Sequence, residues 1–214
     1  MCGGRGTRLD SSHEKPLHPV ADAPMVDAVV DALEASRIET TFVAVSPNVP
    51  ETRDHLADRG DVAVLDTPGD GYVADLGVAL EDDAVSAPIL TAAADLPLLD
   101  GATVDRTLNR YERRSSDRGT SAGHGTSASH GASASSDGRP SMTVCVPRAL
   151  KRRLGVSLEG GDGSESPLVP AGVNVVGEST EDVRAISYDP RLAVNVNRWT
   201  DAELADRLAR RRFR

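Results

Sequence analysis

Pro88-Ile89-Leu90-Thr91-Ala92-Ala93-Ala94-Asp95-Leu96-Pro97-Leu98-Leu99 is a short apolar run that ends on a carboxylate. Its length and its bounding proline and aspartate read as a buried strand over 88–93. A strand apolar on both faces belongs to a mainly parallel sheet covered by helices. Ligands of such sheets lie beyond the carboxyl ends of the strands. Asp95 therefore points into the expected crevice, where a carboxylate can hold Mg²⁺ bound to phosphates. Taken alone, it reads more readily as a turn or capping aspartate ahead of Pro97.

Outward from this strand, strand and helix alternate. Val26, Val29, Val30 and Leu33 fall at helical spacing in 24–36. A strand is expected at 41–46, and a helix at 50–59 with Pro50 in its first turn and Gly60 after its end. A second strand at 62–66 leads to a helix at 72–82 with Val73, Leu76 and Leu80 on one face. Asp100 caps a helix carrying Val104, Leu108 and Tyr111. Beyond it a strand is expected at 142–146, a short basic helix at 148–154, and strands near 171–176 and 193–196. Thr200 and Glu203 read as a capping box opening a last helix through Arg211. Residues 113–141 are rich in Ser, Gly, Ala, His and Asp with no hydrophobic period. They read as a disordered low-complexity insertion within one domain spanning 1–214. His124 and His130 inside it read as solvated. Residues 159–166 form another loop.

Composition narrows the class. The 214 residues carry a formal net charge of −9, with 22 Asp and 11 Glu against 22 Arg and only two lysines, Lys15 and Lys151. The acidic balance argues against nucleic-acid partners and anionic membranes. It suits a salt-rich cytoplasm and a halophilic origin, because at about 1 M salt the screening length is roughly 3 Å and self-repulsion costs little. In so lysine-poor a chain, Lys15 is less expected as surface filler. The longest apolar stretches are strand-length, so no membrane-spanning segment is expected. Nor is a signal peptide, which places the chain in the cytoplasm. Cys2 and Cys145 cannot build a disulfide framework and read as unpaired thiols.

Six segments at strand ends carry candidate chemistry. Gly3-Gly4-Arg5-Gly6-Thr7-Arg8-Leu9, with Lys15-Pro16-Leu17, fits neither the dinucleotide fingerprint nor the P-loop. Its small residues can wrap a phosphate chain with backbone N–H groups, and Arg5, Arg8 and Lys15 supply cations. Asp95 is the second. Asn195 and Asn197, two apart in an extended chain, are the third, and either can add a neutral oxygen to a metal site. Asp66-Thr67-Pro68-Gly69-Asp70-Gly71-Tyr72 through Asp75 is the fourth, a strand-to-helix turn where glycines admit close backbone approach. In Ser46-Pro47-Asn48-Val49-Pro50 the Asn48 amide can read a base edge. Pro170-Ala171-Gly172-Val173-Asn174-Val175-Val176 is a strand entered by small residues, against which a ligand can lie. The chain opens at Met1-Cys2 directly into the glycine turn. Such a turn normally follows a buried first strand. The expectation is therefore a natural start several residues upstream and, here, a truncated first strand with a gap in the sheet beside the site.

Together these segments resemble the nucleotidyltransferases of sugar-nucleotide and cofactor synthesis. The resemblance covers the opening glycine–lysine signature, Asp95-Leu96-Pro97-Leu98-Leu99, Ala171-Gly172-Val173-Asn174-Val175 and Asn195-Val196-Asn197. Residues 46–53, 67–76 and 168–176 look like the archaeal adenosylcobinamide-phosphate guanylyltransferases of cobalamin synthesis. The resemblance implies an α/β, Rossmann-like three-layer fold. It also implies transfer of GMP from GTP to adenosylcobinamide phosphate, with release of pyrophosphate.

By that resemblance the loop of Gly3, Gly4, Arg5, Gly6 and Thr7 cradles the β- and γ-phosphates of GTP. Arg8 and Lys15 stabilise charge, and Asp95 with Asn195 or Asn197 holds Mg²⁺. Ser46, Asn48, Asp66, Thr67 and Gly69 lie on the GTP side. Tyr72, Asp75, Gly172 and Asn174 face the corrinoid phosphate, and a homodimer is possible. The alternatives are nucleotidyl transfer to molybdopterin or a sugar phosphate, and a GTP-binding module without catalysis.

Overall fold

The computed structural model describes residues 1–2, 9, 13–121, 138–158 and 166–212. A 3₁₀ turn, Lys15–Leu17, leads into a hairpin of β1 (Pro19–Val20) and β2 (Ala23–Pro24). Then follow α1 (Met25–Glu34), β3 (Phe42–Val45), α2 (Pro50–Arg59), β4 (Ala63–Asp66), α3 (Tyr72–Glu81), β5 (Ile89–Ala92) and α4 (Gly101–Ser121). The chain closes with β6 (Ser141–Pro147), α5 (Arg148–Leu154), β7 (Leu168–Val176), β8 (Asp182–Ile186), α6 (Pro190–Ala193) and α7 (Trp199–Arg212). No helix among the described residues is long and apolar enough to cross a membrane.

Local chemistry sets several boundaries. Met25, Val26, Val29 and Val30 form the buried stripe of α1. Pro50 opens α2 and Gly60 ends it in a left-handed conformation. The cap of α2 comes from far along the chain, because the Glu14 carboxylate accepts from the Glu51 and Thr52 amides at 3.0 and 2.7 Å. Asp100 accepts from the Thr103 amide at 2.8 Å, the cap expected for α4.

The sheet is mixed through one strand. β3 and β4 pair in parallel. In a second block ordered β5-β7-β6-β8, β6 and β8 are parallel while β7 runs against both β5 and β6. Alternation places Met142, Val144, Val146, Ala171, Val173 and Val175 in one core with Val29 of α1 and Val104 and Tyr111 of α4. The opposite face carries Thr91, Asn174 and Thr143 in cross-strand register.

Between the two blocks lie Met1 and Cys2. Cys2 forms a parallel bridge to Val45, with its amide 2.9 Å from the Ala44 carbonyl. Met1 donates its ammonium to the Ala92 carbonyl at 3.1 Å, and its own carbonyl accepts from the Ala94 amide. Two residues thus join β3 to β5 at their carboxyl ends. Below them the blocks stand apart around a cavity of about 580 Å³.

Four local expectations need correction. The 72–82 helix forms, but its expected apolar face is not buried: Val73 is 81% exposed and Leu80 38%. Its Leu76 meets the cavity rather than a strand. Residues 193–196 are not a strand. Asp189 caps a short helix that opens at Pro190, and the extended stretch after it pairs only at Val196, whose amide donates to the Asp95 carbonyl. Thr200 and Glu203 form no capping box, since Asp201 reaches back to the Arg198 amide at 3.0 Å. Lastly, α4 runs on to Ser121, into the segment expected to be irregular, with Ser115 and Ser116 bonding back to the carbonyls of Tyr111 and Glu112. The rest of that segment, with His124 and His130, lies outside the described residues, as do 159–165. The strand β8 had no counterpart in the sequence reading, because Asp182-Val183-Arg184-Ala185-Ile186 buries only Ala185.

Candidate active site

Strand ends build the site. Past β5 the chain turns through Ala93 and Ala94 and presents Asp95, backed by fully buried Leu96. Lys15 arrives from the 3₁₀ turn, fixed by Pro16 packed behind it. Its ammonium lies 2.7 Å from one Asp95 oxygen and 3.0 Å from Asn197 Oδ1. Lys15 and Asp95 are each roughly one-fifth exposed. An ion pair this shielded is weakly screened, but it remains open to a ligand on one side.

Asn195 and Asn197 are brought to the same carboxylate, in different roles. Asn195 Nδ2 donates to the Ala171 carbonyl at 3.1 Å and toward Asp95 Oδ1 at 3.4 Å. Its Oδ1 accepts from Lys151 Nζ at 2.7 Å in a buried contact. A carbonyl acceptor on one side and an ammonium donor on the other fix which way the amide points. Asn197 has only Lys15 on its oxygen among the described residues.

Lys151 was absent from the sequence reading of the site. It is 3% exposed on α5. Burial pulls its pKa down, partly offset by the nearby Asp95 and Asp201 carboxylates. The available signal was composition, since the scarcity that singled out Lys15 applies equally to the other lysine. Asp201 was also missed. Fully buried, it accepts from the Ser157 amide and hydroxyl and from the Asn197 and Arg198 amides. These bonds hold the Asn197 turn against the start of α7.

Gly172 closes the floor. Its φ is +80°, and a Cβ there would stand 3.1 Å from the Ala93 side chain and 3.2 Å from Asn195 Nδ2. Any side chain would both strain the backbone and push Asn195 off Asp95.

A second cluster sits at the ends of β3 and β4. Thr67 donates its amide and hydroxyl to the Val45 carbonyl at 2.8 and 3.1 Å. Gly69, at φ +77°, packs so closely that a Cβ would lie 2.7 Å from Ser46 Cβ and 2.9 Å from Asn48 Nδ2. Ser46, Asn48, Thr67 and Gly69 therefore gather at these strand ends, with Ser46 and Thr67 buried beneath. Asp66 borders them, but Arg53 holds its carboxylate through two bonds of 2.7 and 3.1 Å. That contact lowers the Asp66 pKa.

A third group combines two expected residues with a new one. Tyr72 Oη lies 2.9 Å from Thr91 Oγ1 and accepts from Asn174 Nδ2 at 3.2 Å. Asp75 does not join it. It is 3% exposed and accepts from the Gly69 amide at 2.8 Å, so it shapes the turn instead of facing an acceptor. Gly3, Gly4, Arg5, Gly6, Thr7 and Arg8 lie outside the described residues. The flanks are placed: Cys2 sits between β3 and β5, and Leu9 is buried with Val194 and Val196. Cys2 and Cys145 are buried free thiols whose pKa values burial pushes up.

The sequence pattern of the MobA-like NTP transferase domain matches residues 1–169. The adenosylcobinamide-phosphate guanylyltransferase of Methanocaldococcus jannaschii is 27% identical over 99% of this chain and 96% of its own. The bifunctional protein GlmU of an Exiguobacterium species is 32% identical over 54% of this chain and 26% of its own. Among solved structures, a CMP:2-keto-3-deoxy-manno-octonic acid synthetase with CTP aligns at TM-score 0.55 and 14% identity, covering 96% of both chains. A Bacillus anthracis protein assigned as a glucose-1-phosphate thymidylyltransferase aligns at TM-score 0.61 and 12% identity, over 98% of this chain and 93% of its own. These two likenesses concern the fold.

Proposed function

The chain belongs to the MobA-like NTP transferase domain family, and from that premise we propose that it transfers GMP from GTP to adenosylcobinamide phosphate. An acceptor phosphate oxygen bonds to the α-phosphorus of GTP. The bond from that phosphorus to the bridging oxygen breaks, and pyrophosphate leaves with the electron pair. A phosphate monoester is already anionic near pH 7, so positioning and charge neutralisation dominate over base catalysis.

The observation that carries this reading is the convergence of Lys15, Asp95, Asn195 and Asn197 on one point beyond the strand ends. Lys15 supplies positive charge for the α-phosphate and the departing pyrophosphate. Asp95 and Asn197 present hard oxygens around a position that already holds a cation, the Lys15 ammonium. That donor set fits Mg²⁺, which takes one or two protein carboxylates together with substrate phosphates. Among the described residues no cluster of three His, Cys, Asp or Glu side chains offers a protein-only cage. When bound, Mg²⁺ supplies further neutralisation of the triphosphate. Asn195, locked between Lys151 and Ala171, orients Asp95 rather than supplying an oxygen.

Ser46, Asn48, Thr67 and Gly69 offer the surface for the guanosine, with Arg5, Arg8 and the glycines Gly3, Gly4 and Gly6 reserved for the phosphates. Tyr72, Asn174 and Gly172 line the acceptor side, where exposed Val73 adds apolar area suited to a corrinoid. The acidic, lysine-poor surface supports work in the salt-rich cytoplasm of a halophilic archaeon. Pyrophosphate release from GTP, measured in molar KCl with several acceptors, tests the reading. Turnover is expected with adenosylcobinamide phosphate. Turnover only with molybdopterin or a sugar 1-phosphate overturns the acceptor assignment, and none with any acceptor overturns transfer.

A further inference from the structure

The first turn of α2 has no local side-chain cap. Val49 stands at the N-cap position with an aliphatic side chain, and Pro50 after it carries no N–H. The Val49 amide donates to the Ser46 carbonyl at 3.1 Å, and the Arg53 amide donates to the Val49 carbonyl at 3.1 Å. The Glu51 and Thr52 amides are the remaining donors of that turn, and they need an acceptor from elsewhere. Glu14 takes both. One of its carboxylate oxygens accepts from the Glu51 amide at 3.0 Å, and the other accepts from the Thr52 amide and the Thr52 hydroxyl, each at 2.7 Å. Thr52 is fully buried. Bonds to an ionised acceptor are about twice as strong as neutral ones, and the positive end of the helix strengthens them further.

Glu14 also builds the turn that carries Lys15. Its carbonyl accepts from the Leu17 amide at 2.9 Å, which closes the 3₁₀ turn over Lys15–Leu17. Pro16 is buried, and Leu17 packs on the core of Val43, Val45 and Leu56. The backbone of Glu14 thus belongs to the Lys15 turn and its side chain to α2. The chain entering α2 is the Ser46–Val49 loop, folded on itself by the Asn48 amide, which donates to Ser46 Oγ at 3.3 Å. One residue joins the cation of the site to the loop assigned to the guanosine.

That link matters because a lysine ammonium rides on a flexible four-carbon stem. Its reach is only as defined as the backbone beneath it. A nucleotide spans from base to α-phosphate as one molecule, so the cation serves it only at a set distance from the nucleoside loop. A misplacement of about 1 Å costs on the order of 10²-fold in rate.

We propose that Glu14 is a positioning residue for the transfer reaction: it holds Lys15 at a fixed distance from the Ser46–Val49 loop, so that one nucleotide meets both at once. It acts through Lys15 and adds no contact to the reacting atoms. The inference rests on guanylyl transfer as the chemistry of the site, while the strut itself belongs to the free protein.

The test is a double-mutant cycle with a nucleotide-free arm. Glu14→Ala is expected to lower kcat about 10-fold and leave the GTP KM within about 2-fold, the pattern of an interaction lost in the transition state. Glu14→Gln keeps one carbonyl acceptor for α2 and should fall between the parent and Glu14→Ala. In a Lys15→Ala background, Glu14→Ala should lower kcat no further, because the two residues act on one step. A merely structural cap would lower kcat by the same factor in both backgrounds, and that result, or a rise confined to the GTP KM, overturns the proposal. The second arm uses the chain's two lysines, Lys15 and Lys151, as reporters of brief acetylation. Glu14→Ala should raise Lys15 labelling at least about 5-fold, as expected for local opening, and leave buried Lys151 unchanged. Unchanged Lys15 labelling, or a parallel rise at Lys151, overturns the strut. If Glu14→Ala fails to fold, Thr52→Val removes one of the three bonds and should give the same pattern at smaller amplitude. Absence of turnover in the parent overturns the transferase reading alone, and the labelling arm then decides the strut.

Discussion

The two blocks of the sheet differ in what packs against them. In β5-β7-β6-β8, alternate residues interlock with α1 and α4 into a core where Met142, Val146 and Ala171 are fully buried. In β3-β4, the strand pattern is just as apolar, yet β4 has no fully buried residue and α3 buries only Asp75 and Ala79. The sequences of the two blocks promise similar strands. The difference lies at the outer edge: β3 buries Val43, Ala44 and Val45, with Val26 and Val30 of α1 and Leu56 of α2 in the same core, while among the described residues β4 pairs with β3 alone. Burial is a property of what packs over a strand, and α1 and α2 cover β3 while β4 is left at the edge.

The Lys15–Asp95 cluster sits at the tip of the packed block, so the proposed chemistry and stability are separable there. Lys15→Ala is expected to lower turnover by roughly 10²–10³-fold, the usual loss for one transition-state charge partner. Its Tm should move by only a few degrees. A thermal scan beside the pyrophosphate assay checks both, and unchanged turnover removes Lys15 from the chemistry. The reverse pattern is expected deeper in the same block. Met142→Ala should cost about 2–5 kcal/mol in denaturant unfolding, because the interlocked core cannot collapse around the hole. Across the divide, Leu76→Ala should cost under about 1 kcal/mol, since its side chain already faces the cavity. Equal losses at the two positions would abolish the contrast between the blocks.

Smaller effects sharpen the comparison at the seam. Tyr72→Phe removes the hydroxyl that ties α3 to Thr91 and Asn174. It is expected to raise the acceptor KM roughly 2- to 10-fold and leave the GTP KM in place. A matching change in the GTP value would put Tyr72 on the nucleotide side. Lys151→Met tests the buried amine. With the pKa of Lys151 lower in the folded chain than in the unfolded chain, the folded state binds fewer protons between the two values. Stability contributed at this position therefore rises with pH across that window. The Tm of the native chain relative to Lys151→Met should climb as pH rises toward the ordinary lysine value of about 10.4. A pH-independent difference would show that burial of the ammonium carries no penalty.

Much of the site was legible because its parts obey local rules. Asp95 follows an apolar strand, Gly172 enters another, and Lys15 stands out in a lysine-poor chain. Each lies where an α/β sheet collects ligands. Pro50, Gly60 and Asp100 marked helix ends for reasons contained within a turn of chain. Lys151 was not legible, because its basic helix reads as a solvated face until α5 packs against the Asn195 segment. Asp75 lies in a glycine turn suited to a ligand, but only the path back to Gly69 shows that its carboxylate faces inward. Residues 193–196 read as a strand because Val194 and Val196 alternate with Asn195 and Asn197, yet all four residues of 193–196 are buried. Among the described residues no strand pairs with them, and the preceding Asp189-Pro190 pair starts a helix.

Sequence alone determined the strand-and-helix alternation, the acidic surface and the residue types gathered at the strand ends, because periodicity, capping and charge act over a few residues. Tertiary structure alone decided which asparagine faces the lysine of the site, that the second lysine is buried behind it, and that the strands divide into the β3-β4 and β5-β7-β6-β8 blocks. Those outcomes depend on pairs as far apart as Lys15 with Asn197 and Met1 with Ala92. Contacts at such separations are set by how whole elements pack, and no local pattern encodes them.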